Sequence, residues 1–498
     1  MTADKDEQQR PATDLTQVRL DKLKSLRELG VDPYPAAFPV STDAAALAAK
    51  YADLEPNAET QDEVVVAGRV VSYRNQGMFI DIRDGSGKVQ VFVHKDCSTE
   101  QSRSIVGLVD LGDFIGAKGF VRRTKRGELT VNATEVTFLA KALLPLPEKY
   151  HGLKDVEARF RNRHLDLISN QDSRDTFLKR AKAISFIRRC LGDEGFLEVE
   201  TPVLHGVYGG ASAEPFMTHY NAVDRDMYLR IALELHLKRT LIGGLCDKVF
   251  EIGRVFRNEG VSTRHNPEFT MLEAYWAYSD YTDMMALTER LLSGIAEHLH
   301  GSTQVQFGEL TLDFSGPFKR LPMPQAVLDA TGIDFLAITD DAAARAVVKD
   351  KLGLAPDKDA TWGEVLEMVF GEKVEPTLTQ PTHITHFPKD ISPLAKVMAE
   401  DPRLVYRFET YCNSWELANA FSELNDPVDQ RQRMVDQVEQ AHARGESQRA
   451  LDEEFLTAMD QGMPPTGGLG IGIDRLIMLM TNSPSIREVI LFPTLRAK

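Results

Sequence analysis

Apolar positions in the first part of the chain change their spacing near residue 64. Between residues 15 and 30 they recur at helical intervals, with Gly30 as a typical helix end, and prolines at 33, 35 and 39 predict an extended connector. From Val64 they alternate with polar residues, which predicts strands at 64–71, 78–83, 88–94, 112–122 and 128–139. Short strands this closely spaced favour a small closed barrel of the OB type.

A mixed pattern follows the proline-rich linker at 144–147. Helical spacing covers 177–191, 282–300, 426–444 and parts of 228–243, and strand spacing covers 196–199, 249–256, 269–278, 404–412 and 415–421. Residues 333–376 are mainly helical and polar, as in an insertion, and residues 467–480 run from a glycine-rich turn into an apolar helix. The mixture predicts an α+β fold with an antiparallel sheet flanked by helices. The expected units are a helical extension and connector at 1–62, the barrel at 63–143 and a large domain at 144–498.

One face of the predicted barrel carries aromatic and polar side chains. Strand alternation turns Phe79 and Asp81 outward on one strand, and Lys88, Gln90 and Phe92 outward on the next. Exposed aromatics beside polar and basic groups suit the stacking of unpaired bases. Packing beneath a loop or a neighbouring domain explains the same pattern equally well.

Composition excludes several classes of protein. The chain has 498 residues, 43% of them hydrophobic and 27% charged, which is typical of a soluble globular protein. Its net charge of −16 argues against nucleic acid, but residues 64–140 hold 11 basic and 8 acidic residues, so charge alone does not decide. No run is long enough to span a membrane, and residues 1–10 lack the apolar core of a signal peptide, so neither feature is expected. Four scattered cysteines favour neither disulfides nor a zinc knuckle and suit the cytoplasm.

The first segment with candidate chemistry is the hairpin around 249–278. Arg257 and Glu259 lie two residues apart and therefore on one strand face, and Arg257 offers a planar fork for phosphate or carboxylate. His265 and Asn266 follow in a loop, and Phe269 begins the returning strand. The set resembles a nucleotide clamp, although such hairpins are more often purely structural.

Two further segments add carboxylates and glycines. Glu409, Glu416 and Glu423 flank a turn at 413–414, where a shared Mg²⁺ with phosphates would relieve their repulsion, and a solvated acidic edge is the alternative. The glycine run at 467–472 matches neither a P-loop nor a dinucleotide fingerprint. Arg475 follows it at a helix start, where an anion is favoured.

Together these segments resemble the class II aminoacyl-tRNA synthetases and, among them, the lysyl enzymes. Residues 195–202 resemble motif 1, residues 256–269 motif 2 and residues 468–475 motif 3 of that class. The stretches at 151–167 and 422–426 match the lysyl enzymes in particular. The resemblance implies a homodimer, an N-terminal anticodon-binding OB domain, and the charging of tRNA(Lys) with lysine at the expense of ATP, with Mg²⁺ as cofactor.

The resemblance also implies roles for individual residues. ATP would contact Arg257, Glu259, His265, Asn266, Phe269, Glu409, Glu416 and Arg475, with Arg257 and Arg475 as the catalytic pair. Mg²⁺ would lie on Glu409 and Glu416. Lysine would contact Gly210, Glu234, Glu273, Tyr275, Asn419 and Glu423, with Glu234 and Glu423 on its ε-ammonium. The anticodon would contact Arg74, Phe79 and Gln90.

The acidic pocket fits this implication physically, because a buried ammonium needs carboxylates beside it. A pocket for aspartate would need Arg or Lys at those positions. The aspartyl and asparaginyl enzymes are the alternatives within the class, and a non-catalytic RNA-binding paralogue is the alternative outside it.

Overall fold

The structure, a computed structural model, describes residues 14–146, 153, 155–211, 213–443 and 450–496. Contacts divide the chain into an N-terminal unit, Met1–Leu153, and a C-terminal unit, Lys154–Lys498. The first residues of the lysyl-type stretch, at 151 and 152, and the predicted helix end at 444 lie outside the described residues.

In its described residues, the N-terminal unit is a closed five-stranded barrel with three helices. The helices are α1 (Asp14–Glu28), α2 (Ala44–Lys50) and α3 (Glu100–Gly107), and the strands are β1 (Glu59–Arg74), β2 (Phe79–Arg83), β3 (Lys88–Phe92), β4 (Phe114–Arg123) and β5 (Leu129–Ala140). The strand order is β1-β2-β3-β5-β4, in which β3 and β5 run parallel. The predicted barrel is therefore confirmed.

Two features of the barrel differ from the prediction. Helix α3 was not expected, although Thr99 caps it by accepting a hydrogen bond from the Ser102 N–H, a recognisable start signal. Asp81 and Gln90 were expected on the outer surface but are buried, at 7% and 6% exposure. Gln90 donates to Asp81 and accepts from Thr130, and these hydrogen bonds satisfy the buried polar groups.

An eight-stranded sheet forms the centre of the C-terminal unit. Its order is β14-β15-β16-β17-β18-β11-β10-β6. The strands are β6 (Leu197–Glu198), β7 (Leu204–His205), β8 (Met217–Tyr220), β9 (Arg225–Leu229), β10 (Lys248–Phe256), β11 (Glu268–Ala277), β12 (Gln304–Phe307), β13 (Leu310–Asp313), β14 (Lys319–Pro322), β15 (Thr382–Pro388), β16 (Leu404–Cys412), β17 (Trp415–Ser422) and β18 (Thr466–Gly472). The sheet is mixed, because the β6–β10 and β14–β15 edge pairs are parallel and the pairs between them are antiparallel.

Helices pack on the sheet, and those at Asp341–Leu352 and Trp362–Lys373 make the segment at 333–376 mainly helical, as predicted. They are α4 (Val156–Arg161), α5 (Arg163–Ser169), α6 (Gln171–Asp193), α7 (Glu234–Ile242), α8 (Tyr281–His300), α9 (Met323–Thr331), α10 (Asp341–Leu352), α11 (Trp362–Lys373), α12 (Pro427–Ala443), α13 (Glu453–Met459), α14 (Ile473–Met480) and α15 (Ile486–Val489), with 3₁₀ turns at Phe335–Ala337, Glu375–Thr377 and Lys389–Ile391. Within the described part of the chain, none of these helices has the length and apolar character that a membrane crossing requires.

One sheet face is apolar and packs on α6, α8 and α14. Phe250, Leu272, Phe408, Leu469 and Ile471 belong to this core, and all are at most 1% exposed. Side chains alternate between the faces of a strand. The neighbours of these residues on β11, β16 and β18 therefore point to the opposite face, which is free to hold a site.

Candidate active site

A single cavity of about 680 Å³ on the second sheet face collects the predicted site residues of the large domain. It is lined by Gly210, Glu234, Arg257, Glu259, His265, Asn266, Phe269, Glu273, Tyr275, Glu409, Glu416, Asn419, Glu423 and Arg475, among others. These residues come from widely separated segments of the chain. The fold therefore brings the residues of the separate sequence motifs together in one cavity.

The glycine run forms the floor of this cavity. The glycine run at 467–472 was predicted as a turn, and that prediction is wrong, because these residues belong to β18, which pairs with both β11 and β17. Leu469 and Ile471 enter the apolar core, whereas Gly468 and Gly470 line the cavity. A strand with glycine at every second position therefore presents bare backbone to a ligand.

Strand register aligns four site positions in one row. Glu273 on β11 pairs with Gly470, Gly470 with Asn419, and Asn419 with Glu409 on β16. Cross-strand partners share a sheet face, so the two glutamates point into the same cavity from three strands apart, roughly 14 Å at the usual spacing of about 4.8 Å. One end of the cavity thus contains Glu273, and the other contains Glu409.

Glu234 and Glu423 converge at the first end, and a lysine of the chain itself lies between them. Lys238 Nζ donates to Glu234 Oε1 at 2.5 Å and forms a second ion pair with Glu423. Burial raises the pKa of the Glu423 carboxyl well above its ordinary value, and Lys238 opposes that rise. That these two carboxylates bind the ammonium of a substrate stays a prediction, and Lys238 is an additional charge that it did not include.

Glu273 is the third carboxylate at this end. Its oxygens accept from the Leu233 N–H and from the Tyr275 hydroxyl, both at 3.0 Å. Burial, reinforced by repulsion from Glu234, raises the pKa of Glu273 to about 7. In the ligand-free chain this carboxyl is therefore close to half protonated at neutral pH.

Arginines occupy the middle and the opposite side of the cavity. The Arg257 guanidinium lies 5.2 Å from the Phe269 ring centroid, and burial lowers its pKa. Arg475 donates to Glu416 Oε2 at 3.3 Å, and its second nitrogen lies 3.1 Å from His265 Nε2. Arg475, on the helix after β18, thus contacts Glu416 and His265, two predicted ATP-binding residues from other segments of the chain.

Glu409 and Glu416 are the predicted metal ligands. Arg407 donates to Glu409 Oε1 at 2.5 Å, and the Tyr411 hydroxyl donates to Glu409 Oε2 at 2.6 Å. Burial first and repulsion from Glu416 second raise the pKa of Glu409 to about 7. Two adjacent carboxylates whose repulsion has this effect offer hard oxygen ligands, which suit Mg²⁺. Within the described residues, no group of three or more His, Cys, Asp or Glu side chains could hold a metal alone.

The sequence analysis missed Lys238 and Arg407. Lys238 follows Glu234 by four residues, which places both on one face of α7. Arg407 precedes Glu409 by two residues, which places both on one face of β16, and it also donates to Asn419 Oδ1 at 3.1 Å. In both cases the sequence could have indicated the cation, because it lies at a same-face spacing from a carboxylate that was already predicted to belong to the site.

On the barrel, the predicted anticodon residues surround one patch. Arg74 and Gln90 both donate to Asp81 Oδ1 at 3.4 Å. The rings of Phe79 and Phe92 have centroids 4.9 Å apart, and the Arg122 guanidinium lies 4.5 Å from the Phe92 centroid. Arg122 is a further cation on this patch that the sequence analysis did not select.

Family models match both units. Residues 155–496 match the family described as tRNA synthetases class II (D, K and N), and residues 64–139 match the OB-fold nucleic acid binding domain.

Curated relatives match over nearly the whole chain. A protein of Rhizobium etli (strain CIAT 652) named Lysine--tRNA ligase is 63% identical over 487 residues, which is 98% of each chain. Proteins of the same name are 62% identical over 498 residues in Agrobacterium fabrum, covering 100% of each chain, and 52% identical over 491 residues in Dehalococcoides mccartyi, covering 98% of each chain.

Gly468 has no side chain where β18 lines the cavity, and this leads to a first prediction, for Gly468→Ala. A Cβ at Gly468 would overlap the Glu423 carboxylate and would lie 2.8 Å from Tyr275 Cε1. We expect this variant to lose about 1–3 kcal/mol of stability, the usual cost of overpacking a core. Thermal unfolding of the ligand-free chain is the measurement. Gly472→Ala is the matched control, since a Cβ there meets nothing within 4 Å, and equal melting of the two variants would contradict the prediction.

Proposed function

The chain belongs to the lysine–tRNA ligases of class II, and from that membership we propose how its cavity joins lysine to tRNA(Lys) with ATP. The observation that carries the proposal is the charge of the first end of the cavity. Three buried carboxylates, Glu234, Glu273 and Glu423, face one ammonium, that of Lys238. When all three carboxylates are ionised, the two negative charges that Lys238 does not neutralise match the α- and ε-ammonium groups of lysine.

The reaction needs positioning rather than a protein nucleophile. A lysine carboxylate oxygen attacks the α-phosphorus of ATP, the bond from that phosphorus to the bridging oxygen breaks, and pyrophosphate leaves. Arg257, placed between the acidic end and the phosphate residues, holds the α-phosphate and stabilises the charge that develops on it. The 3′-hydroxyl of tRNA then attacks the carbonyl of the adenylate, and AMP leaves.

ATP occupies the second end of the cavity in this proposal. Phe269 stacks beneath the adenine, Glu259 accepts from its amino group, and His265 and Asn266 lie by the phosphates. Arg475 exchanges its contact with Glu416 for the γ-phosphate. The Arg475–Glu416 pair in the free chain keeps that arginine at the phosphate side of the cavity.

Mg²⁺ is part of the proposal, with Glu409 and Glu416 as its protein ligands. When bound, it supplies positive charge to the phosphate oxygens. The residues fit this role because each is a hard oxygen donor and because burial and repulsion from Glu416 raise the pKa of Glu409 despite its contact with Arg407, so that a further cation would be favoured there. Arg407 and Tyr411 hold the Glu409 carboxylate in place.

Oligomeric state and location complete the proposal. We propose a homodimer because apolar side chains of the motif 1 region, Leu197, Val203 and Leu204, and Met217 on β8 are exposed at 39–56%. We propose the cytoplasm because the reaction supplies translation there and because all four cysteines are free thiols.

Amino-acid-dependent pyrophosphate exchange tests the function directly. We expect exchange with lysine and none with aspartate or asparagine, whose side chains lack an ammonium. Glu423→Gln should weaken lysine binding on the order of 100-fold, as expected for removal of one buried partner of a charge pair, with ATP binding retained. Glu309→Gln, an exposed change, is the control. Exchange with aspartate would favour the alternative enzymes, and absence of any exchange would favour the non-catalytic paralogue.

Lysine affinity should depend on pH through Glu273. Its pKa of about 7 lies above the ordinary value of 4.5, so the folded chain keeps this proton up to about pH 7, whereas the unfolded chain loses it earlier. The α-ammonium of lysine pairs with the ionised carboxylate. We therefore expect lysine affinity to fall by about tenfold per pH unit below 7 and to level off above it. The same shift lowers the stability of the ligand-free chain as pH rises from 4.5 towards 7.

Calorimetric titration with lysine, without ATP, measures this dependence and avoids the titration of Glu409. The Glu273→Gln variant should bind more weakly and show a flat profile between pH 6 and 8. An unchanged slope in that variant would assign the titration to another group.

The barrel patch predicts a tRNA-specific defect. Phe79→Ala removes a ring on which a base would stack, so we expect the KM for tRNA to rise about tenfold, consistent with stacking energies of about 1–3 kcal/mol. Lysine-dependent pyrophosphate exchange, which needs no tRNA, should be unchanged. Phe114→Ala on β4 is the matched control, and an equal tRNA defect in both variants would indicate general damage to the barrel.

A further inference from the structure

Lys238 is a fully buried ammonium with no role in the reaction as described above. Its side chain is 0% exposed, and its Nζ lies 5.8 Å and 5.6 Å from the ring centroids of Tyr275 and Phe421. The desolvation of an unpaired ammonium costs on the order of several kcal/mol. The ion pairs with two carboxylates explain how the buried Lys238 is tolerated. They do not explain why the chain places a cation in a pocket for a cationic substrate.

Lys238 contacts only one of the two oxygens of each carboxylate, Glu234 and Glu423. Lys238 engages Glu234 Oε1 and Glu423 Oε2. Within the described residues, Glu234 Oε2 receives no hydrogen bond, and both oxygens of Glu423 are buried without one. Glu423 Oε2 is held by the Lys238 ion pair alone, and Glu423 Oε1 lies against the bare backbone of Gly468. One oxygen of each carboxylate is therefore held by Lys238, and the other remains for a ligand.

Lys238 lies behind the carboxylates rather than in the place of the ligand. Glu234, Glu423 and Tyr275 line the cavity, whereas Lys238 does not. Its ammonium is thus on the protein side of the two carboxylates, where it can stay when a substrate enters.

We propose that Lys238 is a positioning residue that holds Glu234 and Glu423 side by side, so that their free oxygens form one receptor for the ε-ammonium of lysine. This inference rests on the proposed function of the cavity and deepens it. The charged and titratable groups facing the receptor are Glu234 and Lys238 from α7, Glu273 and Tyr275 from β11, and Glu423 after β17.

Removal of the Lys238 charge should change lysine binding in a defined way. Without it, the two carboxylates repel, and one of them holds a proton more tightly, which lysine must then displace. The Lys238→Gln variant keeps hydrogen-bonding capacity and loses only the charge. We expect the KM for lysine to rise on the order of 100-fold at pH 7.5, while the KM for ATP stays within about threefold of the wild-type value.

The pH profile separates this role from a merely structural one. Lysine affinity of Lys238→Gln should level off at least about one pH unit higher than that of the wild-type chain, because the retained proton must be lost first. Lys238→Arg keeps the charge and should keep the wild-type profile. Lys248→Gln is the matched control, since that lysine donates to a backbone carbonyl, Glu194 O, and does not line the cavity.

Two results would overturn the inference. An unchanged KM and pH profile in Lys238→Gln would show that the charge has no role, and a lower KM would show that Lys238 competes with the substrate for its site. Failure of the wild-type chain to exchange pyrophosphate with lysine would instead refute the proposed function itself, so the two failures are distinguishable.

A measurement on the wild-type chain keeps the test decisive if Lys238→Gln does not fold. Nitrogen-15 NMR of lysine ammonium groups detects those that are buried and exchange slowly with water. The Lys238 signal, assigned by its absence in Lys238→Arg, should persist and shift when unlabelled lysine saturates the pocket. Loss of that signal on lysine binding would show that the substrate displaces Lys238 and would overturn the inference.

Discussion

Repulsion between carboxylates that share a poorly hydrated cavity is the constraint on which this site depends. Glu234, Glu273 and Glu423 lie at one end, and Glu409 and Glu416 lie at the other. Each carboxylate taken from water costs several kcal/mol, on the order of its desolvation penalty, unless cations or hydrogen bonds compensate it. The free chain compensates only part of the charge at each end, so each end favours the binding of a further cation.

The fold tolerates the repulsion between these carboxylates because the opposite face of the sheet packs into an apolar core. Leu469 and Ile471 pack into that core from the same strand whose glycines form the cavity floor. The face of β18 that lines the cavity has glycines and therefore no side chains that could anchor it. The burial of Leu469 and Ile471 on the opposite face holds the strand in place instead. Hydrogen bonds along both edges of the strand restrict the backbone freedom that glycine otherwise has.

Sequence reasoning predicted the barrel and several of the long helices and strands of the large domain, and it selected residues that line the cavity. It did not predict the strands β7 to β9 or β12 to β15. Alternation located the barrel strands, and the motifs located residues such as Arg257 and Glu409 because their spacing is local. It failed at β18, because glycines at every second position look like a turn unless the intervening Leu469 and Ile471 are recognised as one face of a strand. It also missed Lys238, because a lysine on an amphipathic helix is ordinarily exposed, and only the packing of α7 against the sheet buries it.

The row from Glu273 to Glu409 shows why sheet register matters for the chemistry. These residues belong to different strands and are joined only by the pairings through Gly470 and Asn419. A slip of one residue in either outer pairing would turn one glutamate toward the apolar core, because side chains alternate between faces. Their separation of roughly three strand spacings leaves room between the two acidic ends for a carboxylate and a phosphate chain, with Arg257 alongside. The separation of the two acidic ends is therefore set by backbone hydrogen bonds, and the side chains supply the charges at positions that those bonds determine.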